Sequence, residues 1–191
     1  MVAAASDADG VVTNGMSYFA RSGDNANAAL LVSVTPDDFK GEGPLAGIEF
    51  QRQLEMLAYR TGGGKHVAVS QRMEDFMNHS PTSRFGSVLP TYGRGCVGGK
   101  IDDILPDYVS SSLRSALTDF DNWMKGYYYP DALLTGTETR STSPIRVLRN
   151  DNCEAVGISG LYPCGEGAGY AGGILSAAYD GIVCAEHALR G

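Results

Sequence analysis

Apolar residues recur with a helical period in three stretches of the chain. The first predicted helix covers residues 44–61 and ends at the glycines of residues 62–64, which can adopt the left-handed conformation of a helix C-cap. The second starts at about Pro106, and the third covers residues 174–189. The apolar stripes consist of Phe50, Leu54, Leu57 and Ala58, of Val109, Leu113, Leu117 and Phe120, and of Ile174, Ala178, Ile182, Ala185 and Leu189.

Short apolar runs between these helices predict strands. Residues 28–34 (AALLVSV) form a continuous apolar run typical of a strand buried on both faces. Shorter strands are predicted at residues 67–69, 144–148 and 161–165, and residues 127–134 form a strand-like, partly buried segment. Strands and helices together predict an α/β fold with α+β character, in which one domain has a mixed sheet and two main helices.

The composition shifts near residue 145, beyond which glycine and alanine dominate. We therefore predict a first domain over residues 1–144 and a separate C-terminal segment over residues 145–191, made of a strand, a glycine turn and a helix. No run of residues approaches the ~18 apolar positions of a membrane-spanning helix. The first ten residues, MVAAASDADG, lack the basic region and apolar stretch of a signal peptide.

Charge and cysteine content narrow the classes of function. The 15 basic and 22 acidic residues give a net charge of −7, which argues against nonspecific binding of nucleic acid or anionic membranes. The cysteines form no C-x-x-C pair and do not group with histidines, so we expect no metal site and no disulfide framework. Free thiols fit a reducing, cytoplasmic compartment. The four cysteines are Cys96, Cys153, Cys164 and Cys184, and the three histidines are His66, His79 and His187.

The glycine-rich turn at residues 165–173 is the most informative segment. Glycine makes up 25 of the 191 residues, about twice its usual share of ~7%, and residues 167–172 match G-x-G-x-x-G. A strand, a glycine turn and a helix present backbone N–H groups and a helix dipole to a phosphate. Glycine lets a ligand approach the backbone closely and allows positive φ angles.

The motif alone does not make a complete dinucleotide site. The full fingerprint needs a second strand with an acidic residue about 20 positions further on, but only 19 residues follow Gly172 and the predicted helix takes them up. The segment therefore fits the closing strand, turn and helix of a Rossmann-like domain whose beginning lies elsewhere. A P-loop is excluded, because no Lys-Ser or Lys-Thr follows the glycines.

Residues 160–181 (GLYPCGEGAGYAGGILSAAYDG) resemble the C-terminal FAD-contacting motif of bacterial FAD-dependent dehydrogenases, flavoproteins of the glutathione-reductase type. Four upstream segments resemble parts of that family in the same order: TNGMSYFARSGDNANAALLVSVTPDDF, PLAGIEFQRQLE, LPDYVSSSLRSAL and LTGTETRSTSPIRVLR. The resemblance implies a substrate-side domain followed by the closing strand, glycine turn and helix of a Rossmann-like FAD-binding domain. It implies that the chain is the C-terminal part of a protein more than twice its length, whose N-terminal half grips the ADP part of FAD.

The resemblance also implies the cofactor contacts. Glu166 is expected to accept a hydrogen bond from a ribityl hydroxyl of FAD, and Tyr170 to lie near the flavin ring. N–H groups at the start of the last helix are expected to point at the flavin, where the helix dipole stabilises negative charge. The implied cofactor-binding set is Gly165, Glu166, Gly167, Gly169, Tyr170, Gly172, Gly173 and Ile174.

Residues 135–143 (TGTETRSTS) are implied to lie beside the flavin. Glu138 and Arg140 are the best candidates there for substrate recognition or catalysis, although no residue is assigned as the proton donor or acceptor. The other substrate-binding candidates are Asn14, Met16, Ser17, Arg21, Thr137 and Thr139. The expected partners are FAD, a small-molecule substrate, and the absent N-terminal half or a second copy of the chain.

Alternatives remain open at this stage. The glycine turn could serve only to pack a helix on a sheet, and Glu138 and Arg140 could form a surface ion pair, because residues i and i+2 of a strand share a face. Cys164 has no partner at redox spacing, which excludes the disulfide-reductase branch. The chain as a whole could be a non-catalytic, self-associating interaction module, or a phosphate- or nucleotide-binding fragment without redox chemistry.

Overall fold

The computed structural model describes residues 2–5 and 7–190, which fold as two compact units. Unit 1 contains the chain up to Thr35 together with Gln51–Thr139, and unit 2 contains Pro36–Phe50 and the chain from Arg140 onward. The fold is α+β, with a small mixed three-stranded sheet and four helices among the described residues. The prediction that the domains divide near residue 145 stays a prediction.

The sheet of unit 1 is built around the buried strand β3. Strands β1 (Val2–Ala5) and β2 (Val12–Asn14) form a separate antiparallel ribbon. Strand β3 (Ala68–Arg72) pairs in parallel with β4 (Cys96–Gly98) and antiparallel with β5 (Leu133–Gly136), which gives the order β4-β3-β5. Its first four residues are buried, as expected for a central strand.

The three helices predicted from apolar periodicity are confirmed. They are α1 (Ala46–Thr61), α3 (Asp107–Trp123) and α4 (Ile174–Arg190), and a short helix α2 (Met73–Met77) follows β3 directly. Helix α1 ends as predicted, because Gly63 and Gly64 have φ angles of +85° and +76°. Pro106 precedes α3, and Asp107 lies in its first turn, where a negative charge interacts favourably with the helix dipole and stabilises the helix.

Unit 1 has a continuous hydrophobic core between the sheet and α3. Val69, Phe76 and Leu117 are completely buried in it. The guanidinium of Arg114 donates two hydrogen bonds to Asp102, each 2.6 Å long, and a third of 2.9 Å to the carbonyl of Phe76. These bonds fix α3 to the turn that precedes it and to the end of α2.

Asp131 joins the loop before β5 to the end of β3. Its carboxylate accepts hydrogen bonds from the N–H of Ser87, at 2.7 Å, from the Ser87 hydroxyl, also at 2.7 Å, and from Nε of Arg72, at 2.9 Å. The Ser87 N–H contributes most, followed by the Ser87 hydroxyl and Arg72, and together they hold the pKa of Asp131 at about 2.

We expect the Asp131→Asn variant to lose part of the acid sensitivity of unit 1. Because the folded-state pKa lies below the unfolded value of about 3.9, Asp131 stabilises the fold above that pH, and this contribution is lost as the pH falls through about 2. Urea unfolding followed by circular dichroism, repeated from about pH 5 to about pH 2, measures how the free energy of unfolding changes with pH. The control is Asp119→Asn, at an exposed position of α3. Identical pH profiles for the wild type and Asp131→Asn would rule out this role.

Three predicted strands are wrong as elements of this chain. Residues 28–34, 144–148 and 161–165 all belong to irregular chain, and residues 28–34 are largely exposed. Only an isolated antiparallel bridge between Arg149 and Ala155 forms near the last two segments. A strand needs a neighbour to satisfy its N–H and C=O groups, and within residues 36–50 and 140–190 no segment provides one. The closing strand of a Rossmann-like domain is therefore not formed within the described chain.

Unit 2 has a small core, and the apolar stripe of α4 is not covered by described residues. Cys153, Ala155, Ala168 and Cys184 are buried, and the rings of Phe39 and Phe50 lie 5.5 Å apart. By contrast, the large apolar side chains of α4 are mostly exposed: Ile174 by 91%, Leu175 by 85%, Tyr179 by 70%, Ile182 by 59% and Leu189 by 88%. Within the described residues, no helix has the length and apolar content that crossing a membrane requires.

Candidate functional site

The glycine turn of unit 2 precedes α4 and is ordered by its own hydrogen bonds. The N–H of Gly169 donates to the carbonyl of Glu166 at 2.9 Å, and the N–H of Tyr170 donates to the carbonyl of Gly165 at 3.0 Å. The N–H of Gly165 donates to the Asp180 carboxylate at 2.8 Å, which ties the start of the turn to the middle of α4.

Two glycines of the turn are required by the fold itself. Gly165 and Gly169 have φ angles of +72° and +83°, which side-chain-bearing residues rarely adopt. A Cβ atom at Gly169 would overlap the carbonyl oxygen of Ile145 and lie 2.9 Å from Cα of Arg146. These two positions would therefore be glycine whether or not a ligand binds.

Gly167, Gly172 and Gly173 are not required by the fold. None has a positive φ angle. A Cβ atom at Gly167 would meet nothing within 4 Å, and at Gly172 or Gly173 it would only reach ordinary contact with Thr142 or Ser176. A ligand that approaches the backbone closely is the requirement that excludes a side chain at such positions, so the open side of the turn fits a cofactor or phosphate.

The start of α4 has backbone donors that the described residues leave unpaired. The N–H of Gly173 donates to Oγ of Ser176 at 3.1 Å, and the first helical bond runs from Ala177 to the carbonyl of Gly173 at 2.9 Å. The N–H groups of Ile174, Leu175 and Ser176 have no acceptor among residues 7–190. They share the positive end of the helix dipole, which favours an anionic group.

Glu166 and Tyr170 differ in how the structure uses their side chains. Glu166 is partly exposed, and its carboxylate has no hydrogen-bond or ion-pair partner in the described part of the chain. The Tyr170 hydroxyl donates to the carbonyl of Val147 at 3.0 Å, and its ring lies 3.7 Å from the guanidinium carbon of Arg149 and 5.0 Å from that of Arg146. Glu166 is thus available to a ligand, whereas Tyr170 has a packing role in unit 2.

Arg149 and Asp180 hold the turn in place, and neither residue was predicted from the sequence. Arg149 donates 2.6 and 3.0 Å hydrogen bonds to Asp180 and a 2.8 Å bond to the carbonyl of Pro163. Both side chains are largely buried, and their hydrogen bond raises the pKa of Arg149 and lowers that of Asp180. The available signal was Asp180, an acidic residue in the middle of the mostly apolar α4. Burial raises the pKa of the neighbouring Cys184 thiol to about 11, so it stays protonated at neutral pH.

In unit 1, four of the predicted substrate-side residues lie on adjoining segments. Nδ2 of Asn14 donates to Oε1 of Glu138 at 3.0 Å, and the N–H of Thr13 donates to the carbonyl of Thr137 at 2.9 Å. The Thr139 hydroxyl donates to the buried carboxylate of Glu55 at 2.7 Å. The structure thus brings β2, the chain after β5 and α1 together around a polar cluster.

Two features of this polar cluster point to a chemical role. Burial raises the pKa of Glu138, because desolvation disfavours the charged form of the carboxyl group. The hydroxyl of Thr13 is completely buried and has no hydrogen-bond partner among the described residues. A buried hydroxyl without a partner in the described chain and a carboxyl group with a raised pKa are both features that occur at ligand sites.

Among the described residues of unit 1, no hydrogen bond or ion pair joins Met16, Ser17 or Arg21 to Glu138. Met16 is 57% exposed, and Ser17 and Arg21 are exposed as well. Arg140 is exposed and belongs to unit 2. In the region that the structure describes, no group of three or more histidines, cysteines and acidic residues forms a candidate metal site.

Comparisons with known proteins bear on both units. Residues 1–141 match the family described as "FAD-dependent protein, C-terminal domain-like". A protein of Clostridium beijerinckii described as an uncharacterized protein is 50% identical over 190 residues, which cover 100% of this chain and 36% of that relative. The chain thus spans little more than a third of the length of the curated relative that it matches. Because the family match covers well over half of the sequence, this chain belongs to the FAD-dependent protein, C-terminal domain-like family.

Proposed function

We propose that the chain is the C-terminal part of an FAD-dependent oxidoreductase of the dehydrogenase kind, with a glutathione-reductase-type arrangement. Unit 1 supplies the substrate side, and residues 145–191 close a Rossmann-like FAD-binding domain. The observation that carries this proposal is the glycine turn, in a chain that belongs to an FAD-dependent family. The fold itself does not require glycine at Gly167, Gly172 and Gly173.

In this proposal, unit 2 binds the flavin and ribityl parts of FAD through the glycine turn. The Glu166 carboxylate accepts from a ribityl hydroxyl, since no described residue occupies it. Gly165, Gly167, Gly169 and Gly173 form the approach surface, and the N–H groups of Gly172 and Ile174 donate to the flavin edge, because the N–H of Gly173 is already bonded to Ser176. Bound FAD supplies hydride transfer, and the protein supplies orientation and electrostatics. Tyr170 supports the turn from behind rather than stacking on the ring.

On the substrate side, we assign proton handling to Glu138. A carboxyl group whose pKa is raised by burial can hold and release a proton closer to neutral pH than an exposed glutamate. Asn14 donates to one of its oxygens and thereby orients it. The remaining substrate-side candidates of unit 1 are Thr137 and Thr139, in the chain that follows β5, with Met16, Ser17 and Arg21. Arg140 stays a candidate within unit 2.

The exposed faces of unit 2 support a longer parent protein. An exposed apolar helix face such as that of α4 marks a surface that another element covers, and such packing supplies most of the stability of an amphipathic helix. Residues 161–165 likewise lack a neighbouring strand in the described chain. Nearly two thirds of the Clostridium beijerinckii relative lies outside its match to this chain, enough to supply a sheet and the ADP-binding half. A cytoplasmic location is part of the proposal, and the free cysteines support it.

The test is a chimera in which this chain replaces the matching part of the Clostridium beijerinckii relative. We expect Glu166→Gln to weaken FAD binding about tenfold, because a charge-assisted hydrogen bond to the ribityl chain is lost. The control is Glu186→Gln, on the exposed polar side of α4. Flavin fluorescence titration measures both affinities, with ADP as a second ligand.

Two outcomes would overturn the assignment of the turn. Equal FAD affinities for Glu166→Gln and Glu186→Gln would remove Glu166 from the flavin site. ADP binding as tight as FAD binding would favour a nucleotide site without redox chemistry, because the flavin would then contribute nothing.

A further inference from the structure

Residues 28–34 in unit 1 have the side-chain pattern of a strand without a strand partner. Leu30 and Val32 are partly buried and pack against the core of unit 1, whereas Leu31 between them is 60% exposed. Ala29 and Ser33 are exposed as well. Alternation of inward and outward side chains is the geometry of extended β-structure with one face already packed.

The backbone of this segment is unpaired. From residue 28 to residue 34, no N–H or C=O group forms a backbone hydrogen bond with any other residue that the structure describes. The composition is apolar and partly β-branched, which favours a strand over a solvated loop. An edge of this kind, already fixed by its packed face, can accept an added strand with little further loss of backbone entropy.

An apolar groove of about 300 Å³ runs alongside the segment. One wall is residues 29–32, and the other is the face of α3 that carries Ser112, Ala116 and Phe120. Its lining also includes the larger side chains of Leu113, Met124 and Tyr127. Its size and apolar lining fit one or two large aliphatic or aromatic side chains.

We propose that residues 28–34 are a docking edge to which a β-strand adds, and that this strand belongs to the part of the longer protein outside this chain. Apolar side chains of the added strand occupy the groove between residues 29–32 and α3. The proposal rests on the longer parent protein proposed above, but not on the identity of its cofactor.

Two observations favour this occupant over a second copy of the chain. Nearly two thirds of the relative lies outside the match, so strands tethered to the same polypeptide are available at high effective concentration. A second copy would bring together two chains of net charge −7, and Asp24 and Asp37 flank the segment in each of them. Like charges at paired strands oppose association.

Hydrogen exchange of the amides of residues 28–34 tests the proposal directly. We expect these amides to exchange quickly in the isolated chain and at least about tenfold more slowly in the chimera, because half of them gain a backbone acceptor. Amides of α3 serve as the internal reference, since they are hydrogen-bonded within a helix in both proteins.

Each result decides the question. Equal exchange rates of residues 28–34 in the isolated chain and the chimera would overturn the proposal, even if the chimera binds FAD. Slow exchange in the isolated chain that increases with protein concentration would assign the edge to a second copy instead. Protection in a chimera that does not bind FAD would support the docking edge and contradict only the proposed function.

A pair of substitutions at one position separates backbone pairing from side-chain packing. Ser33→Pro removes an N–H group and disfavours a ladder, whereas Ser33→Ala keeps the N–H and removes only an exposed hydroxyl outside the groove. We expect the proline variant to lose at least about tenfold of the protection at neighbouring amides in the chimera, and the alanine variant to keep it. Equal protection in both variants would contradict strand addition.

Discussion

The Gly169→Ala substitution is expected to destabilise unit 2 by about 3 to 5 kcal/mol. Gly169 has a φ angle of +83°, and the added Cβ would overlap the carbonyl oxygen of Ile145. It would also lie 2.9 Å from Cα of Arg146. Both obstacles are backbone atoms, so no side-chain rotation relieves the overlap, and the turn must move away from residues 145–147.

The matched control for this substitution is Gly167→Ala in the same turn. Gly167 has no positive φ angle, and an added Cβ would meet nothing within 4 Å, so we expect a change in stability within about 0.5 kcal/mol. Hydrogen exchange of α4 amides reports the local opening free energy of unit 2 in both variants. Similar opening free energies for the two variants would show that Gly169 is not fixed by its contact with Ile145.

The Arg149→Met substitution is expected to cost unit 2 about 3 to 5 kcal/mol. The Arg149 and Asp180 side chains are only 13% and 14% exposed, and methionine fills space but removes the cation. Asp180 would then remain buried with the N–H of Gly165 as its hydrogen-bond donor, and the carbonyl of Pro163 would lose its donor. A buried carboxylate without its cation is far more costly than the pair itself is stabilising.

The control for this ion pair is Arg190→Met, on α4, the helix that also carries Asp180. Arg190 pairs with Glu186 at 3.6 Å, but the two side chains are 73% and 60% exposed, so their pairing contributes about 0 to 1 kcal/mol. Thermal unfolding at neutral pH and hydrogen exchange of unit 2 measure both variants. If Arg149→Met loses no more stability than Arg190→Met, Arg149 does not hold the glycine turn in place.

The sequence predicted the helices better than the strands, and the reason is physical. Helices α1, α3 and α4 satisfy their backbone groups within one segment, so a local period of apolar residues is sufficient to identify them. A strand depends on a partner that the local pattern does not contain. Residues 28–34 and 161–165 have strand-like sequences, but no described segment pairs with them as a ladder.

For the site, the sequence located the glycine turn but not what holds it. The positive φ angles of Gly165 and Gly169 agree with the reason given for glycine in such a turn. The need for glycine at position 169 arises from Ile145, and the clamp joins Arg149 to Asp180, 31 residues apart. Such distant contacts leave no local pattern. The pairing of Asn14 with Glu138 escaped prediction for the same reason, although both residues had been candidates.

The central claim is that this chain completes a flavin site in a longer protein, and the flavin content of the purified chimera tests it most directly. Visible absorbance, measured after the protein is denatured to release the cofactor, gives the amount of FAD per folded chain. We predict about one FAD per chimera, and a clear loss when Gly167 is replaced by valine, whose side chain would fill the open side of the turn. A folded chimera that contains no FAD and takes up none from solution would contradict the claim.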